Sequence, residues 1–94
     1  MKNRYFFVSG VVTVMGYNPH TEFCEFVVRS KNFPMHRVMM SALRGEFVVR
    51  NLDHSLDSDH YRYAILSVSE IPTEQDYIDF TDGSALKTYE GSSL

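Results

Sequence analysis

Asp53-His54-Ser55-Leu56-Asp57-Ser58-Asp59-His60 sets three carboxylates and two imidazoles within eight residues. Carboxylates and imidazoles are the natural ligands of zinc or manganese, and carboxylates alone suit calcium. Asp53, His54, Asp57, Asp59 and His60 are therefore the candidate metal ligands of this chain. Their spacing lacks the central glycine and the distal bidentate glutamate of a calcium loop. Asp and Ser also favour turns for their own backbone hydrogen bonding, so a solvated loop between two elements accounts for the same residues. The weight rests on the loop, with no metal or other cofactor expected.

Cys24 is the only cysteine. A nucleophilic thiol needs a nearby base and an electropositive, partly exposed setting. Cys24 instead sits in Phe23-Cys24-Glu25-Phe26-Val27-Val28, where a thiol acts as a small buried hydrophobe. His20 in a turn and His36 at the start of a helix read as surface residues. Ser9, Ser67 and Ser69 fall in strands, outside any nucleophile-elbow pattern. Asp76 and Asp79 lie on a short surface helix, where solvation explains them. No phosphate loop, dinucleotide fingerprint or zinc-protease motif is present. The expectation is a protein that is not an enzyme.

The remaining chemistry is aromatic. Tyr5, Phe7, Phe23, Arg29, Arg50 and Tyr63 are expected to share a sheet face turned away from the helices. Rings on an open sheet flanked by arginine can stack single-stranded bases. The same surface can equally be buried against a protein, including a second copy of the chain. Nine basic residues against twelve acidic ones, a net charge of −3, lack the cationic excess of a duplex-DNA binder and tip the balance toward protein. A homodimer is the first expectation and a single-stranded nucleic-acid module the second. A metal-dependent enzyme centred on residues 53–60 comes last. A C-terminal tail folded back over the face would leave no site there.

These residues must be positioned by one domain, since 94 residues leave no room for two. The strongest strand signal runs from Arg4 to Met15, rich in Val, Phe and Thr and free of Pro. Both of its faces are largely apolar, and Gly10 marks a bulge or a close contact. Gly16-Tyr17-Asn18-Pro19-His20 makes a turn, and Thr21–Arg29 alternates again, completing a hairpin. Pro34 suits a helix start, and Met35, Val38, Met39, Ala42 and Leu43 form a helical stripe that His36, Arg37, Ser41 and Arg44 fall off. Gly45 is read as the C-terminal cap, followed by a third strand over Glu46–Leu52 and a fourth over Tyr61–Ile71. Thr73-Glu74-Gln75-Asp76 has the form of a capping box opening a helix over Glu74–Phe80.

The resulting expectation is an α+β fold in the order ββαββα, an antiparallel sheet of four strands with two helices on one face. Residues 1–82 would form the domain and residues 83–94 a polar tail, mobile or loosely docked. A sheet covered on one side should alternate cleanly, apolar inside and polar outside. Here Tyr5, Phe7, Val11, Phe23, Val27, Tyr61 and Tyr63 exceed what two short helices can cover. Lys2 and Arg4 ahead of an apolar run faintly imitate a leader, but the run becomes a strand without a cleavage site. No stretch approaches the roughly 18–20 apolar residues of a membrane span. With a single thiol, the expected address is the cytoplasm.

Overall fold

A computed structural model describes residues 2–15, 19–50 (without the Arg50 side chain) and 61–91. The order is β1 (Arg4–Val14), β2 (His20–Ser30), α1 (His36–Arg50), β3 (Tyr61–Ile71), α2 (Glu74–Thr81) and β4 (Thr88–Glu90). The sheet order is β3-β1-β2-β4, with β1 antiparallel to β2 and β3, and β4 parallel to β2. The α+β class, the four strands and the two helices agree with the sequence reading.

β1 is the central strand because both its faces are apolar. Phe6, Val8 and Val12 on one face are fully buried with Cys24, Phe26 and Val28 of β2. α1 closes that face with Met39, Ala42, Leu43 and Phe47. Burying a side chain of the Val, Leu or Phe class stabilises a fold by about 1.5–3 kcal/mol, so this layer holds the molecule together. Gly10 lets the helix approach: a Cβ built there would lie 2.8 Å from Leu43 Cδ2. Both readings of Gly10 hold, because the β1–β3 register also shifts between Ser9 and Gly10. Ser9 faces Ser67 while Gly10 faces Ile65, so Leu66 of β3 is the extra residue.

The stretch expected as a third strand is helical as far as Arg50, the last residue of α1. The alternation of Phe47 and Val49 suggested a strand. Met39, Leu43 and Phe47 also recur at intervals of four, the helical period, and all three are buried. Gly45 is therefore interior rather than a cap. It costs the helix about 1 kcal/mol relative to alanine, and it lies where the Tyr89 ring passes, 3.9 Å from where a Cβ would stand.

The fourth strand comes instead from the tail. Val27, Val28 and Arg29 pair with Thr88, Tyr89 and Glu90. The Val27 amide donates to the Lys87 carbonyl at 2.9 Å, and the Gly91 amide donates to the Arg29 carbonyl at 2.7 Å. The observed order is thus ββαβαβ, and one pairing is parallel where all were expected antiparallel. Side-chain pairing, invisible in a polar tail read alone, explains the docking. Tyr89 meets Phe26 edge to face and donates from its hydroxyl to Glu46 Oε1 at 2.8 Å, and Arg29 pairs with Glu90.

The N-cap half of the capping box forms, and its reciprocal bond engages the Thr73 hydroxyl in place of the backbone amide. Thr73 Oγ1 accepts from the Asp76 amide at 3.1 Å and donates to Asp76 Oδ2 at 2.9 Å. The two helices do not share a face, however. Tyr77 and Phe80 of α2 meet Tyr5 and Phe7, which project from β1 opposite to Phe6 and Val8. Surplus aromatic residues on the second face of β1 are what draw α2 there.

Candidate interaction face

The face opposite α1 is built by alternation. Tyr5, Phe7 and Val11 of β1 stand in register with Arg29, Val27 and Phe23 of β2. On the other side, Phe7 and Val11 face Ser69 and Ala64 of β3. Four of the six expected face residues, Tyr5, Phe7, Phe23 and Arg29, are therefore together. Two are not. Tyr63 pairs with Val12 and so lies on the α1 face, with its ring centre 6.2 Å from that of Phe47. The bulge explains the difference, since one extra residue in β3 reverses which side its first half presents. Arg50 is the last residue of α1.

α2 covers one end of this face. The Tyr5 and Tyr77 rings stack at 4.0 Å with planes 13° apart, and Tyr5 is only 6% exposed. The Tyr5 hydroxyl donates to Glu74 Oε1 at 3.4 Å, and the Tyr77 hydroxyl shares a hydrogen bond with Thr88 Oγ1 at 2.7 Å. Phe7 meets Phe80 edge to face at 5.1 Å. These rings serve as the core of a second, smaller layer. Toward the other end of the face Phe23 is 64% exposed beside half-buried Val11, and Phe80 on α2 is 46% exposed. Between α2 and β3 lies a cleft of about 530 Å³ walled by Phe7, Ile71 and Phe80, with Asp76 and Asp79 in its lining.

The electrostatics of the face differ from those expected. Arg29 is held by the hydrogen bond to Glu90, which raises its pKa and holds the Glu90 carboxyl below its usual range. Its charge is thereby committed to an intramolecular ion pair. With Tyr63 on the α1 face, the expected platform is represented here by Tyr5, Phe7, Phe23 and Arg29. α2 itself is acidic, with Glu74 and Asp76 in its first turn and no basic residue in its last.

Tyr63 forms part of a separate cleft between α1 and β3, about 490 Å³, lined also by His36, Arg37, Met40, Ser41 and Arg44. The Arg44 guanidinium carbon lies 5.5 Å from the Tyr63 ring centre, and burial pushes the Tyr63 phenol above its ordinary value. In the sequence, His36, Arg37, Ser41 and Arg44 read only as the off-stripe side of a helix. The signal that could have found the cleft was the seven-residue interval between Arg37 and Arg44, which places both on one side.

Cys24 is fully buried, as read. The candidate ligands Asp53, His54, Asp57, Asp59 and His60 lie outside the described residues. Among the described residues no group of three or more His, Cys, Asp or Glu is arranged to hold a metal ion. No helix among them is long and apolar enough to cross a membrane. The chain matches no family model, no curated protein and no solved structure.

Proposed function

We propose that this chain is a non-enzymatic protein-interaction module that associates with copies of itself through the α2 side of its sheet. The observation that carries the reading is Phe23, a phenylalanine on a strand flanked by β1 and β4, 64% exposed and in register with half-buried Val11. Exposed aromatic surface on a sheet face is a characteristic mark of association. The commitment of Arg29 to Glu90 and the acidic character of α2 favour a protein partner over nucleic acid. A fully buried lone thiol suits action in the reducing cytoplasm.

Size-exclusion chromatography with light scattering, read at 260 and 280 nm, tests the proposal. The expected result is a mass above that of the 10.9 kDa chain, with no nucleic-acid absorbance. Phe23→Ser should return the mass to that of a monomer while leaving the thermal transition in place. An unchanged mass for Phe23→Ser would remove the face from consideration.

A further inference from the structure

The two helices differ in charge. On the α1 side, the described residues that line the cleft are His36, Arg37, Met40, Ser41, Arg44 and Tyr63, and none of these carries a carboxylate. No ion pair engages His36, Arg37 or Arg44 among the described residues. In a chain with twelve acidic and nine basic residues, composition does not force such a cluster. Arg37 and Arg44 stand two helical turns apart, about 10 Å at 1.5 Å per residue, with Arg44 held over the Tyr63 ring.

On the opposite side, α2 carries Glu74, Asp76 and Asp79, has Asp82 at its C-terminal end and has no basic residue in its last turn. Asp76, Asp79 and Asp82 meet no cation among the described residues. The same helix exposes Ile78 and Phe80. One surface is thus a cationic cleft with Met40 and Tyr63 in its walls, and the other a short anionic ridge with apolar side chains.

We propose that the α1–β3 cleft of one copy receives the acidic α2 ridge of another. This inference rests on the self-association reading and names its geometry. A helix in a groove, with apolar contacts flanked by complementary charge, is a recurrent recognition mode. Because the two surfaces lie on opposite faces of one sheet, the contact is heterologous. Assembly then continues into chains or a ring and does not close at two.

The symmetric alternatives are disfavoured. Placing α2 against α2 brings Asp76 and Asp79 against their own copies, a like-charge contact. Two-fold pairing of the whole β3 edge fails at the bulge. Tyr61, Tyr63 and Ile65 share the α1 side with Val68, whereas Ser67 and Ser69 lie on the other, so full-length pairing about its middle residue would mismatch faces.

Sedimentation velocity on the full chain at about 50 mM and about 500 mM NaCl tests this, the higher salt shortening the screening length severalfold. The wild-type chain should associate beyond a dimer at low salt and dissociate at high salt. Arg37→Ala/Arg44→Ala removes the cationic wall, and Asp79→Lys reverses the ridge; each alone should weaken association by about tenfold or more. An equimolar mixture of the two variants should form a one-to-one pair and nothing larger, since only one productive contact remains. Circular dichroism melts confirm that both variants fold. Salt-insensitive association, unaffected by either variant but lost in Phe23→Ser, overturns the head-to-tail contact and leaves the proposed function standing. A wild-type chain that is monomeric at every concentration and salt overturns both.

Discussion

Gly10 and Leu43 are the point at which α1 touches the sheet most closely. A methyl group at Gly10 would meet Leu43 Cδ2 at 2.8 Å and the Ala64 carbonyl oxygen at 3.2 Å. The leucine side chain can yield, but the β3 backbone cannot yield as cheaply. Gly10→Ala is expected to destabilise the fold by about 1–3 kcal/mol, as overpacking does. Leu43→Ala, which empties a fully buried site, is expected to cost about 2–5 kcal/mol. Urea unfolding followed by circular dichroism measures both. Glu46, a carboxylate only 4% exposed, accepts a 2.8 Å hydrogen bond from the Tyr89 hydroxyl. Tyr89→Phe deletes that bond and should destabilise by about 1–3 kcal/mol. A variant as stable as the wild type would mean that the contact contributes nothing net.

At the scale of elements, β4 is the most weakly bound part of the sheet. It has three residues and pairs with one strand only. The Arg29–Glu90 pair adds to the backbone bonds and Tyr89 contacts that attach it. Across the sheet, Arg4 donates two 2.8 Å hydrogen bonds to Glu70, tying the start of β1 to the end of β3. In both pairs the arginine holds the carboxyl below its usual range. A carboxyl depressed in the folded state contributes stability above its unfolded pKa, about 4.3 for glutamate. That contribution is lost as the pH falls through the folded value. The pairing of β4 should therefore loosen in acid below about pH 4. Amide exchange at Gly91 and Val27, whose hydrogen bonds hold β4, should accelerate there more than at central β1 amides. Glu90→Gln should remove most of that pH dependence. Equal acceleration throughout the sheet would indicate global unfolding instead.

For the whole molecule, the sheet separates two layers of unlike character. α1 and the large core occupy one side. On the other, α2 is held by a ring stack and an edge contact and has no buried residue. The sheet provides the rigid support, and α2 is the element most easily disturbed. Phe80→Ala should loosen α2 against Phe7 while leaving the α1 layer intact. Hydrogen exchange should then rise in residues 74–81 and remain slow in β1 and α1. Uniform change would show that the two layers unfold as one unit.

Local chemistry was legible in the sequence. Alternation defined β1, β2 and β3, the Thr73–Asp76 capping box defined the start of α2, and the setting of Cys24 marked it as core. The surplus of rings on both faces of β1 correctly announced that the second face meets something. Local pattern could not choose between strand and helix for residues 46–50, because Phe47 and Val49 fit one period and Met39, Leu43 and Phe47 the other. Packing of Phe47 against Tyr61 and Tyr63, with Glu46 bonded to Tyr89, decided for the helix. Nor could it foresee that a three-residue segment of a polar tail would become β4, because its stabilising partners, Glu46, Phe26 and Arg29, lie more than forty residues away in the chain. The candidate face was half legible for the same reason. Period-two alternation places Tyr5, Phe7, Phe23 and Arg29 together within a hairpin. Tyr63 changes side because one extra residue in β3 is absorbed opposite Gly10, a choice made by how two strands pair. The segregation of basic α1 from acidic α2 depends on which side of the sheet each helix packs, and only tertiary contacts between rings settle that.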